Sequence, residues 1–162
     1  MQRFSFEYES FHSMEELSNL DQAIVAAAFE AAEKLAYAPY SKFKVGAAVL
    51  LSNGEVVRGG NQENAAFPAG ICAERVALSA VSASYPGIII KSIAIAYNKN
   101  KDFNRLDERV LSPCGICRQT IMEYQNRQGK PISLFLNSET GIVYKIKDAQ
   151  FLLPLTFNGD LL

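Results

Sequence analysis

Histidine is nearly missing from this chain: one, His12, stands among 162 residues. A Ser-His-Asp arrangement would have to be built on it, and no nucleophile motif accompanies it, so we read His12 as an exposed bystander. Cysteine is scarce as well. The three present, Cys72, Cys114 and Cys117, cannot all pair with one another, which argues against a disulfide framework. In a reducing compartment the Cys114-x-x-Cys117 spacing points to metal or redox chemistry. Neither sign of charge dominates: sixteen basic and seventeen acidic residues leave a net charge of -1, with a pI near 5.9. A nucleic-acid binder ordinarily carries a basic face, so that class is set aside, whereas a small polar ligand is not. No apolar run reaches the length of a bilayer span. The opening MQRFSFEYES has no apolar stretch after Arg3, unlike a secretory signal. We therefore expect a cytoplasmic protein with no membrane partner.

Repeats, low-complexity segments and Pro/Gly/Ser-rich linkers are lacking too, so one domain is expected over 1–162. Its 49% hydrophobic and 20% charged residues are an ordinary globular balance, and the length suffices to bury a core without disulfides. Phe4, Phe6 and Tyr8 alternate with polar neighbours and predict a short strand. Ser18 and Asp21 read as a capping box, followed by Ile24, Ala28, Ala31 and Leu35 on one helical face and a Glu30–Lys34 pair on the other. Pro39 ends that helix. The apolar run from Phe43 to Leu51, the turn Ser52-Asn53-Gly54, and Glu55 to Arg58 predict a hairpin. A helix is expected from Cys72 to about Ser84, a strand covered on both faces from Ile88 to Tyr97, and an exposed loop from Asn98 to Glu108. A helix from Cys114 to about Tyr124 precedes strands at Ile132 to Leu136 and Ile142 to Ile146. The order β, α, β, β, α, β, α, β, β implies a mixed sheet with helices on its faces.

The chemistry concentrates in Cys72-Ala73-Glu74-Arg75 and, about forty residues on, Pro113-Cys114-Gly115-Ile116-Cys117. A catalytic zinc takes three protein ligands and keeps one position for water, whereas a structural zinc takes four. Three cysteines with no fourth favour catalysis. Both segments open helices, whose partial positive charge favours thiolates, and Pro113 suits a helix start. Three thiolates around a divalent ion still leave net negative charge, which Arg75 could offset by donating to them. Glu74 is better suited to proton transfer than to ligation. Positions i and i+2 of a helix do not share a face, so its reach depends on how the first turn opens.

These residues resemble the cytidine deaminase family in its short-chain, three-cysteine form, and the similarity extends over about residues 21–161. The resemblance implies an α/β/α sandwich around a mixed five-stranded sheet, with residues 1–20 as an N-terminal extension. It implies one zinc per subunit on Cys72, Cys114 and Cys117, and hydrolysis of cytidine or 2'-deoxycytidine to the uridine nucleoside and ammonia. Glu74 would carry the protons, as in the zinc deaminases generally, and the reaction would serve pyrimidine salvage. Tyr37 to Ala48 is similar to the segment in which the family's Phe, here Phe43, lies against the pyrimidine; by residue type alone Phe43 is a core aromatic. Asn61 and Glu63 match positions that bind the ribose 3'-hydroxyl, and Ala73 is a further substrate-binding position; without the resemblance Asn61-Gln62-Glu63 is a polar loop. Leu152 to Phe157, then Asp160-Leu161, resembles the closing segment, whose Phe, here Phe157, enters a neighbouring subunit's site. That implies a homotetramer with shared sites; on composition alone Phe157 anchors the tail. Phe67 stands where many of the family carry Tyr, which removes a hydroxyl for contact between subunits.

A blasticidin S-type deaminase has the same three-cysteine site. Arg75, Phe157 and the Asn61/Glu63 pair favour plain cytidine, and the acidic pI disfavours a polynucleotide substrate. A non-catalytic zinc module would not require Glu74. Arg75→Gln should leave a zinc-loaded protein of reduced kcat; a turnover equal to the parent's in a metal-quantified preparation would remove Arg75 from the site.

Overall fold

The computed structural model of the chain describes residues 1–99 and 108–159. Six strands form one mixed sheet: β1 (Glu9–Phe11), β2 (Phe43–Leu51), β3 (Val56–Gly60), β4 (Ile90–Lys99), β5 (Ser133–Asn137) and β6 (Val143–Ile146). Their order is β1-β6-β5-β4-β2-β3. Only β4 and β5 run parallel, which is why a helix must cross between them. That helix is α3 (Gly115–Gln128); α1 (Asn19–Lys34) and α2 (Ala73–Ser84) precede it. The element order is the one the sequence implies, and so are the three layers. The central five strands are those expected; β1 is a sixth, added at the edge beside β6. The alternating Phe4, Phe6 and Tyr8 lie before it, and the paired residues are Glu9 to Phe11. Most of the stretch from Asn98 to Glu108, and Asp160 and Leu161, lie outside the described residues.

Side-chain alternation sorts the sheet into two faces. Ala48, Leu50, Ala94, Ala96, Phe135 and Val143 meet Ile24, Val25 and Ala28 of α1. On the opposite face Ala47, Val49, Ile93, Ile95, Leu134 and Leu136 meet Ala77, Leu78 and Val81 of α2 and Ile121 and Met122 of α3. β4 is thus buried on both sides, as its continuous apolar run requires. Ser18 caps α1, its hydroxyl accepting from the Asp21 N–H at 3.2 Å. The Asp21 carboxylate does not close the box; it receives Lys145 of β6 at 2.9 Å. Leu35, expected on the buried face, ends the helix and is 45% exposed. The Glu30–Lys34 pair forms at 2.8 Å, and Glu30 also takes Arg58 at 2.6 Å. The hairpin turns at Gly54, whose φ of +91° is left-handed. No helix among the described residues is long and apolar enough to cross a membrane.

Helices lie unusually close to β2 and β3 because glycines leave room for them. A Cβ on Gly46 would stand 2.1 Å from the Ala28 carbonyl oxygen and 2.2 Å from the Ala32 nitrogen of α1. On the other face a Cβ on Gly59 would meet Ala77 N at 2.5 Å and Ala73 O at 2.6 Å, in the opening turns of α2. Backbone cannot yield as a flexible side chain does. Gly46→Ala and Gly59→Ala should each cost at least about 1–3 kcal/mol, the range for overpacking. Gly59→Ala should also weaken zinc retention, because it displaces the start of α2. Urea unfolding with metal analysis reads both; neutral stability would show that the helices are free to move.

Candidate metal centre

Two helix starts supply the sulfurs. Cys72 is the residue before α2, with extended backbone (φ −69°, ψ 151°), and Cys114 stands likewise before α3 (φ −66°, ψ 168°). Neither side chain caps its helix, so both thiols are left for each other. Their Sγ atoms are 3.8 Å apart. With Cys117, one turn into α3, the three sulfurs lie within 4.8 Å of one another. Sulfurs at about 2.3 Å from one tetrahedral ion stand about 3.8 Å apart, the separation that Cys72 and Cys114 already have. Cys117 is fully buried, Cys72 is half-buried and Cys114 is exposed. The hydrogen bond with Cys117 pulls the Cys72 thiol down to about 6, against burial and the Glu74 charge. The same bond pushes Cys117 up, with burial adding to it. A divalent ion held by these residues would require all three thiols as thiolates.

Because Cys72 lies outside the helical register, the two-residue spacing no longer separates it from Glu74. Glu74 is 4% exposed, and burial raises its pKa; its own N–H and the Cys117 thiol pull the other way. The carboxyl therefore sits beside the sulfurs, yet the ligand cluster is cysteine alone. Ala73, between them, is fully buried. Arg75 makes no hydrogen bond to a sulfur among the described residues; its charge nonetheless helps to lower Cys72.

Phe43, Asn61 and Glu63 gather along the start of β2. Phe43 is half-buried, its ring 5.4 Å from that of Tyr97. The Asn61 amide continues the β2–β3 ladder past Gly60: its Oδ1 accepts from Val45 N at 2.8 Å and its Nδ2 donates to Phe43 O at 3.0 Å. Glu63 accepts from Tyr40 N at 2.9 Å, Ser41 N at 3.3 Å and the Ser41 hydroxyl. These bonds, the Ser41 hydroxyl first, lower its pKa. Phe157 is 62% exposed, with its carbonyl held by Gln119 Nε2 at 2.8 Å. His12 is exposed and stands outside the cluster.

Arg118 had no role assigned from sequence, although it follows Cys117 directly. Its Nε donates to Pro113 O at 2.8 Å, one terminal nitrogen to Ser112 Oγ at 3.0 Å and the other to Leu152 O at 3.2 Å. The guanidinium thus pins the loop entering Cys114. A five-donor fork beside a metal motif was the available signal; its partners become visible only on folding.

Known proteins share this fold. The model of the cytidine and deoxycytidylate deaminase zinc-binding region matches residues 18–129. Cytidine deaminase of Halalkalibacterium halodurans is 34% identical over 139 residues, 86% of this chain and 95% of its own. That of Sporosarcina psychrophila is 39% identical over 130 residues, 80% of this chain and 85% of its own. The crystal structure of cytidine deaminase from Burkholderia pseudomallei, 38% identical, aligns with a TM-score of 0.69 over 87% of this chain and 100% of that one. A helix-flanked mixed sheet bearing three sulfurs at two helix starts defines the class, a zinc-dependent hydrolase fold. The chain belongs to the cytidine and deoxycytidylate deaminase family.

Glu63 titrates with a definite sign. Its folded pKa lies below the ordinary value of 4.5, so its stabilisation is complete above that pH and is lost as the pH falls through the folded value. Exchange protection of the Tyr40 and Ser41 amides should fall over that acid range and be insensitive to it in Glu63→Gln. Protection in the parent that ignores acid would contradict this.

Proposed function

We propose that the protein hydrolyses cytidine and 2'-deoxycytidine to uridine and 2'-deoxyuridine, releasing ammonia. The observation that carries this reading is a buried carboxyl, Glu74, placed against a three-sulfur cluster but not part of it, in a chain of this family. One zinc per subunit, held by Cys72, Cys114 and Cys117, supplies the Lewis acidity that makes a water nucleophilic near neutral pH. Glu74 does the proton work. Its burial favours the neutral form, so a proton taken from the attacking water is held and passed on, first to N3 of the pyrimidine and then to the leaving amine. Phe43 offers a ring face to the base. Asn61 retains a second N–H and a second lone pair beyond its bonds to β2, so with Glu63 it can take a sugar hydroxyl. Ala73 lines the floor between Cys72 and Glu74.

The rim of the site supports a homotetramer with sites at subunit interfaces. Ile71, Ile116 and Phe157 are 41%, 63% and 62% exposed; the first two adjoin a metal ligand in sequence and the third is tied to α3 through Gln119. Phe67, 80% exposed, lies 6.3 Å from the Tyr40 ring. An apolar rim of this kind marks a contact surface, and a partner covering it would place its own Phe157 near the substrate. The reaction belongs to cytoplasmic pyrimidine salvage, where free thiols stay reduced.

An ultraviolet assay with cytidine, deoxycytidine and blasticidin S tests the reading directly. We expect conversion of both cytidine nucleosides, and a fall of about 10⁴-fold in kcat for a Glu74→Gln protein that keeps its zinc, near the upper end for acid–base catalysis. Silence on both nucleosides from a zinc-loaded parent, or an active Glu74→Gln, would overturn it. Turnover of blasticidin S alone would assign the other substrate.

A further inference from the structure

The segment preceding β1 lies outside the family match and takes no part in the chemistry above. Its alternating aromatics are nevertheless laid along defined neighbours. Phe6 stacks on Phe151, centroids 6.0 Å and planes 25° apart, and Phe4 meets the same ring edge-on at 6.5 Å. Tyr8 continues the row onto Tyr144 of β6 at 4.6 Å. Strand pairing of β1 with β6 and an ion pair between Glu9 and Lys147 at 2.7 Å hold the end of the row in place.

Phe151 belongs to a single helical turn, Ala149–Leu152, which α3 ties down from the other side. Gln125, buried in α3, donates to Asp148 at 2.8 Å, and Asp148 in turn caps the turn through Gln150 N. Arg118 reaches the Leu152 carbonyl while holding Ser112 and Pro113, the two residues before Cys114. The turn is therefore pressed from outside by the arm and bonded inside to the loop that presents a metal ligand. Offset and edge-on ring contacts add stabilisation beyond their buried area. Phe4 and Phe6 remain 56% and 42% exposed, so truncating them leaves no cavity in the core.

We propose that Phe4 and Phe6 are positioning residues for the metal loop, acting through Phe151, the Leu152 carbonyl and Arg118 to hold Cys114 in place. The inference rests on the three cysteines forming the metal site, and is independent of which nucleoside is consumed.

The test uses the zinc-loaded full chain and follows zinc transfer to a chelating dye, with amide exchange alongside. The double variant Phe4→Ala/Phe6→Ala should release zinc about fivefold faster. That is less than the roughly 10- to 100-fold seen when a group touching a ligand is removed, because here the effect is relayed. Protection at the Phe151 and Leu153 amides should fall while Ala28 and Ala32 of α1 keep theirs. Phe4→Tyr/Phe6→Tyr should behave as the parent. In an Arg118→Gln background the alanine pair should add nothing, because the link is already cut. Parental zinc release, a loss of protection that extends to α1, or additivity with Arg118→Gln would each overturn the proposal. No nucleoside enters this measurement, so a protein inactive on cytidine would defeat the proposed function and leave this inference standing.

Discussion

Three sulfur atoms from two helices must meet at one point, and much of the architecture serves that meeting. Cys72 and Cys114 both sit on the extended residue just before a helix, so each thiol projects from the positive end of a helix toward the other. For the two ends to come within sulfur–sulfur distance, α2 must press its first turns onto β3, and Gly59 is the residue that lets it. The α3 end is placed differently. It follows the crossover from β4, and Arg118 bonds the entering loop to its own helix and to the chain's closing segment. Cys72 is thus set by packing against the sheet and Cys114 by a hydrogen-bonded loop, with Cys117 carried on α3 itself.

Electrostatics explains why a carboxyl can live beside such a cluster. Three thiolates around a divalent ion leave net negative charge, and an ionised Glu74, itself buried, would add to it. Burial drives Glu74 toward its neutral form, while its own N–H and the Cys117 thiol pull the other way. The two helix ends and the Arg75 charge offset part of the sulfur charge. A carboxyl drawn toward its neutral form and lying outside the sulfur cluster is poorly suited to ligation. The same polar economy recurs at Asn61 and Glu63, which satisfy backbone groups of residues 40–45 and are thereby fixed in orientation.

The local signals read correctly wherever one interaction range decided the outcome. Asn53-Gly54 placed the hairpin turn, Ser18 the start of α1, and the nearly continuous β-branched run from Ile88 to Tyr97 the double-sided burial of β4. They misled where a distant residue competed. Asp21 would complete its own capping box, but Lys145 reaches it from β6 and takes the carboxylate. Phe4, Phe6 and Tyr8 alternate as a strand does, yet their rings are satisfied by Phe151 and Tyr144 instead of a neighbouring strand. Leu35 keeps the period of the buried stripe but falls at the helix end, where the close packing at Gly60 carries the chain away from the core.

By itself the sequence determined the metal chemistry: three cysteines and no fourth, a glutamate two residues from the first of them, and helix starts at both. Those properties belong to residue identity and short spacing, which survive any fold that brings the segments together. Only the tertiary structure decided that Cys72 stands outside its helix so that Glu74 can reach the sulfurs, that Arg118 braces Cys114, and that the arm before β1 presses on the turn behind them. Each of these depends on contacts between segments dozens to more than a hundred residues apart. Such contacts are set by chain topology and close packing, and no local period or motif encodes them.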